Sequence, residues 1–113
     1  MLTLDTLREF GADVDEGLER CMGDEEFYLE LIPDALTESY YTSIENLINE
    51  KDLSQAFEVA HSLKGIVANL SLTPIHTPVS EITEGLRNGK DIDYSPLIAE
   101  MWKQRNKLLE MMG

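Results

Sequence analysis

At 113 residues and 42% apolar composition, the chain is sized for one domain with a core of its own and needs no disulfide or metal staple. Twenty-two acidic residues against nine basic ones give a formal charge of −13, which repels nucleic acid and anionic membrane over most of the surface. That acidity reads first as a solvated surface and second as steering toward a basic partner face.

The N-terminus, MLTLDTLREF, has neither the basic start nor the apolar middle of a signal peptide, and no apolar run is long enough for a membrane helix. A cytoplasmic chain is the expectation. Strand signals are scarce, since no segment alternates cleanly over six residues. A short helix is predicted over Thr3–Phe10, closed by Gly11. Asp13 caps a second, Val14–Met22, closed by Gly23. The single cysteine, Cys21, cannot form an internal disulfide and is expected to pack. Asp24 opens a long helical stretch toward Glu50, with Phe27, Leu31, Leu36, Tyr40, Ile44, Leu47 and Ile48 as its apolar stripe. Pro33 should kink or divide that stretch near Ile32. After a turn at Lys51-Asp52 a helix runs from about Leu53 to Leu70. Ser71–Thr73 break it, and Pro74 starts the next, to Arg87, with Ile75, Val79, Ile82 and Leu86 on one stripe. Asn88-Gly89 ends that helix. The last runs from Tyr94 or Ser95 to Met112, with Leu97, Met101, Leu108 and Met112 inward. Short connections favour antiparallel neighbours, so the predicted fold is all-α: an up-and-down four-helix bundle preceded by one or two short helices. Residues 1–23 are expected to cap the bundle formed by residues 24–113, all within one domain. The acidic runs Asp13–Glu19 and Asp24–Glu26 read as solvated faces, and Trp102 with the C-terminal methionines as packing.

Chemistry concentrates between Leu53 and Leu70. On an ideal helix Leu53, Ala56, Ala60, Leu63 and Val67 fall within roughly 80° of one another and face the core. His61 lies on the shoulder of that stripe, roughly 100–120° from its centre, and should be partly exposed. Its neighbours three, four and seven residues away are Ser54, Phe57, Glu58, Lys64, Gly65 and Ala68. A mid-helix glycine costs about 1 kcal/mol relative to alanine, and Gly65 one turn after His61 leaves room for a partner that must reach the ring. Lys64 can lay its stem over apolar surface and bring its ammonium back beside the imidazole. There it favours a neutral, nucleophilic ring and stabilises an anionic group once attached. These features suit nucleophilic catalysis or covalent phosphoryl carriage by histidine. No GxxxxGK[ST] loop is present, so the phosphate has to come from another protein.

His61-Ser-Leu-Lys64-Gly65 matches the HxxKG core of the histidine-containing phosphotransfer (HPt) family. With Ala60, the Ala68-Asn69-Leu70 continuation, the Ile75, Val79 and Ile82 spacing, and the upstream Phe27…Pro33 pattern, the chain resembles that family from about Asp24 to Met112. The resemblance implies a phosphocarrier and not an enzyme. On that resemblance His61 would take a phosphoryl group from the aspartyl phosphate of a receiver domain, on a response regulator or a hybrid histidine kinase, and pass it to another receiver. Lys64 would hold the phosphoryl oxygens, Gly65 would give access, and Ser54, Phe57, Glu58 and Ala68 would belong to the docking patch. The receiver would bring the acidic pocket and Mg²⁺, so no cofactor of the chain's own is expected. Two positions depart from the pattern. Ser71-Leu72 stands where the family has a small pair, and Thr83 replaces a frequent glutamate.

His76 lacks a matching Lys-Gly and reads as an ordinary surface or capping residue, and no HExxH-type spacing supports a metal site. An exposed histidine on a closed bundle predicts a monomer, and the Met1 start with the Met-Met-Gly end predicts a free-standing chain. The rival reading is a non-phosphorylated acidic helical bundle that acts as an interaction module.

Overall fold

The computed structural model describes residues Met1–Gly113, and every regular element in it is a helix. The helices are α1 (Leu4–Phe10), α2 (Val14–Arg20), α3 (Glu25–Ala35), α4 (Glu38–Asn49), α5 (Leu53–Asn69), α6 (Thr73–Arg87) and α7 (Ser95–Met112). Starts are written in the sequence as short polar caps. The side chains of Thr3, Asp13, Asp24 and Asp52 accept from the backbone N–H groups of Thr6, Glu16, Phe27 and Gln55. Each satisfies a donor that the first turn of a helix leaves without a partner. At the end of α2, Met22 and Gly23 both take left-handed backbone (φ 58° and 76°), and the helix stops at Arg20, two residues short of expectation.

The long stretch from Asp24 to Glu50 is two helices, and the break falls at Leu36-Thr37 instead of near Ile32. Pro33 sits inside α3 and deletes one backbone donor, yet the helix runs on to Ala35. The break is held by side chains that take up the freed carbonyls. The Tyr41 hydroxyl donates to the Ala35 carbonyl at 2.7 Å. Arg105 of α7 donates twice to the Leu36 carbonyl, from Nε at 3.0 Å and Nη2 at 2.9 Å. The two short helices expected ahead of the bundle are α1 and α2, and α3, separated from α4 by this break, precedes it as well.

The bundle is formed by α4 to α7. α5 packs against α4 and α6, α6 against α7, and α7 also touches α4. One continuous core runs through it and out to Leu7 and Phe10 of α1, Val14 of α2, and Cys21. α1 lies on α7, and α3 on α5. The α6 stripe is as predicted: Ile75, Val79, Ile82 and Leu86 are all buried. Between Asp24 and Tyr41, Leu36 is buried as expected, but the positions at Phe27, Leu31 and Tyr40 give way to their neighbours one residue on. Tyr28, Ile32 and Tyr41 are inside, Phe27 is exposed, and Leu31 and Tyr40 are half-buried. Tyr28 sets that register. Its ring fills the space over Gly17, where an added Cβ would stand 2.5 Å from the phenol oxygen, and its hydroxyl donates to the Leu70 carbonyl at 2.8 Å. In α7, Ile98, Met101 and Leu108 are buried, whereas Leu97 and Met112 are half-buried.

Candidate functional site

Helix α5 fixes the site by burying one face. Ala56, Ala60, Leu63 and Val67 are in the core, which turns His61 outward into solvent. Of the positions singled out around it, Ser54, Glu58 and Gly65 are exposed, and Phe57, Lys64 and Ala68 are half-buried. The spacing of three, four and seven residues puts them on the His61 side of the helix.

The imidazole stacks on Phe57, one turn earlier, with ring centroids 5.5 Å apart and planes inclined by 16°. Arg87, at the end of α6, lays its guanidinium over the same Phe57 ring, 5.1 Å from the centroid. A groove of about 480 Å³ runs beside this stack, between Ser54, Phe57 and Glu58 of α5 and Leu86 and Arg87 of α6.

Lys64 is placed differently from expectation. Its ammonium leans across to α6 and pairs with Glu84, with Nζ 3.6 Å from Oε2, and is not paired with His61. A carboxylate is a stronger partner for a cation than an imidazole, and the core-ward tilt of position 64 faces α6. Glu84 Oε2 also accepts from Arg87 Nε at 3.1 Å. That hydrogen bond, with the nearby charges of Arg87 and Lys64, holds the Glu84 carboxyl below the ordinary carboxylate range.

Three glycines lie inside helices, and Gly65 differs from the other two. A Cβ on Gly17 or Gly85 would run into the rings of Tyr28 or Tyr94, so internal packing accounts for both. A Cβ on Gly65 would meet nothing within 4 Å. The chain therefore carries a helix-weakening residue, worth about 1 kcal/mol, that its own packing does not need.

His76 is half-buried on α6. Burial, and then the charge of Lys64, push its pKa below the usual histidine value. Thr83 is buried and donates its hydroxyl to the Val79 carbonyl at 2.7 Å, inside its own helix. Ser71 takes left-handed backbone (φ 54°), and its carbonyl accepts from the Asp13 N–H at 3.0 Å, tying the turn after α5 to the start of α2. Sequence reasoning missed Glu84 and Arg87 as parts of the site. A signal was available. An antiparallel hairpin pivoting on Leu72 sets Arg87, fifteen residues after it, opposite Phe57, fifteen before.

The site thus offers an accessible nucleophilic ring, steadied on one side and left clear on the other, with two cations close by. A family model described as Hpt domain matches residues 29–112. No curated protein and no solved structure matches the chain. No helix is long and apolar enough to cross a membrane.

Proposed function

Because the chain belongs to the Hpt domain family, whose members serve histidine phosphotransfer in phosphorelays, we propose that His61 is its phosphoryl carrier. It takes the group from an aspartyl phosphate on one receiver domain and hands it to the aspartate of another. The observation that carries this reading is Gly65: an exposed, mid-helix glycine one turn from an exposed histidine, with nothing in the chain that requires it. A partner that must bring its own atoms up to the His61 ring is the physical use for that space.

The arrangement of these side chains supports a direct transfer. A lone pair on one His61 ring nitrogen attacks phosphorus as the acyl O–P bond breaks. The partner's aspartate leaves with that electron pair, and the proton on the other ring nitrogen stays in place. The stack on Phe57 limits how far the ring swings away from the helix. Lys64 moves from Glu84 toward the phosphoryl oxygens, a reach that its spacing of three residues from His61 allows. Ser54, Phe57, Glu58 and Ala68 form part of the docking surface. Mg²⁺ bound in the receiver would neutralise phosphoryl charge on that side of the transfer. The chain acts as a cytoplasmic monomer and leaves catalysis to the receiver.

The test is incubation with phosphorylated receiver domains from the same organism in the presence of Mg²⁺. Acid-labile, base-stable label is expected on the native chain and not on His61→Gln. If the whole receiver panel leaves the native chain unlabelled, the phosphocarrier reading fails and a bundle acting only through binding replaces it.

A further inference from the structure

Glu84 is the one carboxylate in the protein that pairs with two cations. Arg8, Arg20 and Lys51 find their acidic partners elsewhere, whereas Lys64 and Arg87 both close on Glu84 Oε2. The two contacts have different roles. Arg87 is on the same helix three residues on, and its hydrogen bond at 3.1 Å pins the carboxylate in place while its guanidinium lies over Phe57. Lys64 comes from α5 with a longer, 3.6 Å contact, and its flexible stem is free to swing. The unmodified protein thus parks the cation nearest His61 in sequence on a carboxylate.

We propose that Glu84 is a positioning residue that sets how firmly phospho-His61 keeps its phosphoryl group, by competing with that group for the Lys64 ammonium. This rests on His61 being the phosphoryl carrier. A phosphoryl group of about two negative charges attracts Lys64 more strongly than the ring alone does, but it has to draw the ammonium away from a carboxylate that Arg87 holds in place. Glu84 therefore leaves phospho-His61 less stabilised than Lys64 alone would make it, and the group is easier to pass on. When the N–P bond breaks and the acceptor oxygen forms its O–P bond, the ring lone pair is restored and Lys64 returns to Glu84.

The size of the effect is that of one partly exposed ion pair, roughly two- to fivefold in an equilibrium or rate. The experiment uses the whole chain carrying His76→Gln, so that His61 is the sole histidine. It is loaded with the small-molecule donor phosphoramidate and followed by ³¹P NMR. Glu84→Gln should lengthen the lifetime of the phosphohistidine roughly two- to fivefold and shift its exchange equilibrium with a receiver toward His61 by a similar factor. Glu81→Gln, an exposed carboxylate three residues earlier on α6, should leave both unchanged. In a Lys64→Met background the Glu84→Gln effect should vanish, an outcome that a merely structural role for Glu84 does not produce. Equal lifetimes with and without Glu84 overturn the inference, as does an effect that survives the loss of Lys64. If neither phosphoramidate nor a phosphorylated receiver labels the His76→Gln chain, this inference falls together with the phosphocarrier reading. If label appears and Glu84→Gln changes nothing, this inference alone falls.

Discussion

Replacing Gly65 separates what the residue does for the fold from what it does for a partner. Its ideal Cβ position is empty to 4 Å and its backbone is within a regular helix, so alanine fits without moving anything. Glycine in a helix interior is less favourable than alanine by about 0.5–1 kcal/mol, because the unfolded chain loses more freedom on ordering it. Gly65→Ala should therefore stabilise the protein by about that amount and raise Tm by roughly 2–6 °C for a domain of this size. The same methyl group stands one turn from His61, on the side a receiver has to approach. Transfer from a phosphorylated receiver should slow, and Gly65→Gln should slow it further while keeping the gain in stability, since glutamine is also a good helix former. Loading by phosphoramidate, which is small, should change little in either variant. Thermal unfolding by circular dichroism and single-turnover transfer on the same samples give both readings. A Gly65→Ala protein that is less stable than native would refute the packing argument. One that takes phosphate from the receiver at the native rate would refute the access argument.

Two further predictions concern the scaffold. Arg105 caps the Leu36 carbonyl twice and lies over the rings of Tyr41 and Trp102, so Arg105→Met should cost about 1.5–3 kcal/mol in urea unfolding; a loss below 0.5 kcal/mol would mean that water replaces the cap without penalty. The Tyr28 hydroxyl is pushed up to about 12 by burial, then by Cys21 and Asp13, against an ordinary value of 10.0. The fold thus favours the protonated phenol: the contribution is fully present below pH 10 and is lost as pH rises from there through about 12. Burial shifts Tyr41 and Tyr94 in the same direction. Urea midpoints should fall between about pH 10 and 12, and less steeply in Tyr28→Phe, which also gives up a hydrogen bond worth about 1 kcal/mol at neutral pH. An identical pH slope in that variant would contradict the assignment.

What the sequence revealed follows from which interactions are local. The Asp13 cap, the Gly11 stop and the α5 and α6 stripes depend on residues three or four apart, and each was readable. The division of α3 from α4 was not, because the carbonyls freed there are taken up by Tyr41 and by Arg105, the latter 69 residues away from Leu36 in sequence. The one-residue displacement of the early stripe has the same origin. Phe27 is as apolar as Tyr28, but only Tyr28 finds a ring-sized space over Gly17 and an acceptor at Leu70. At the site, the outward placement of His61 follows from helical period alone. The Lys64 position does not, since its partner Glu84 is on the neighbouring helix.

If His61 carries the phosphoryl group, the group itself can be located on the chain. The native chain, loaded by a phosphorylated receiver, would be kept at neutral pH or above and its phosphate mapped to a residue by mass spectrometry. Phosphate is expected on His61 and none on His76. Phosphate on His76, or a loaded protein with His61 unmodified, would contradict that placement.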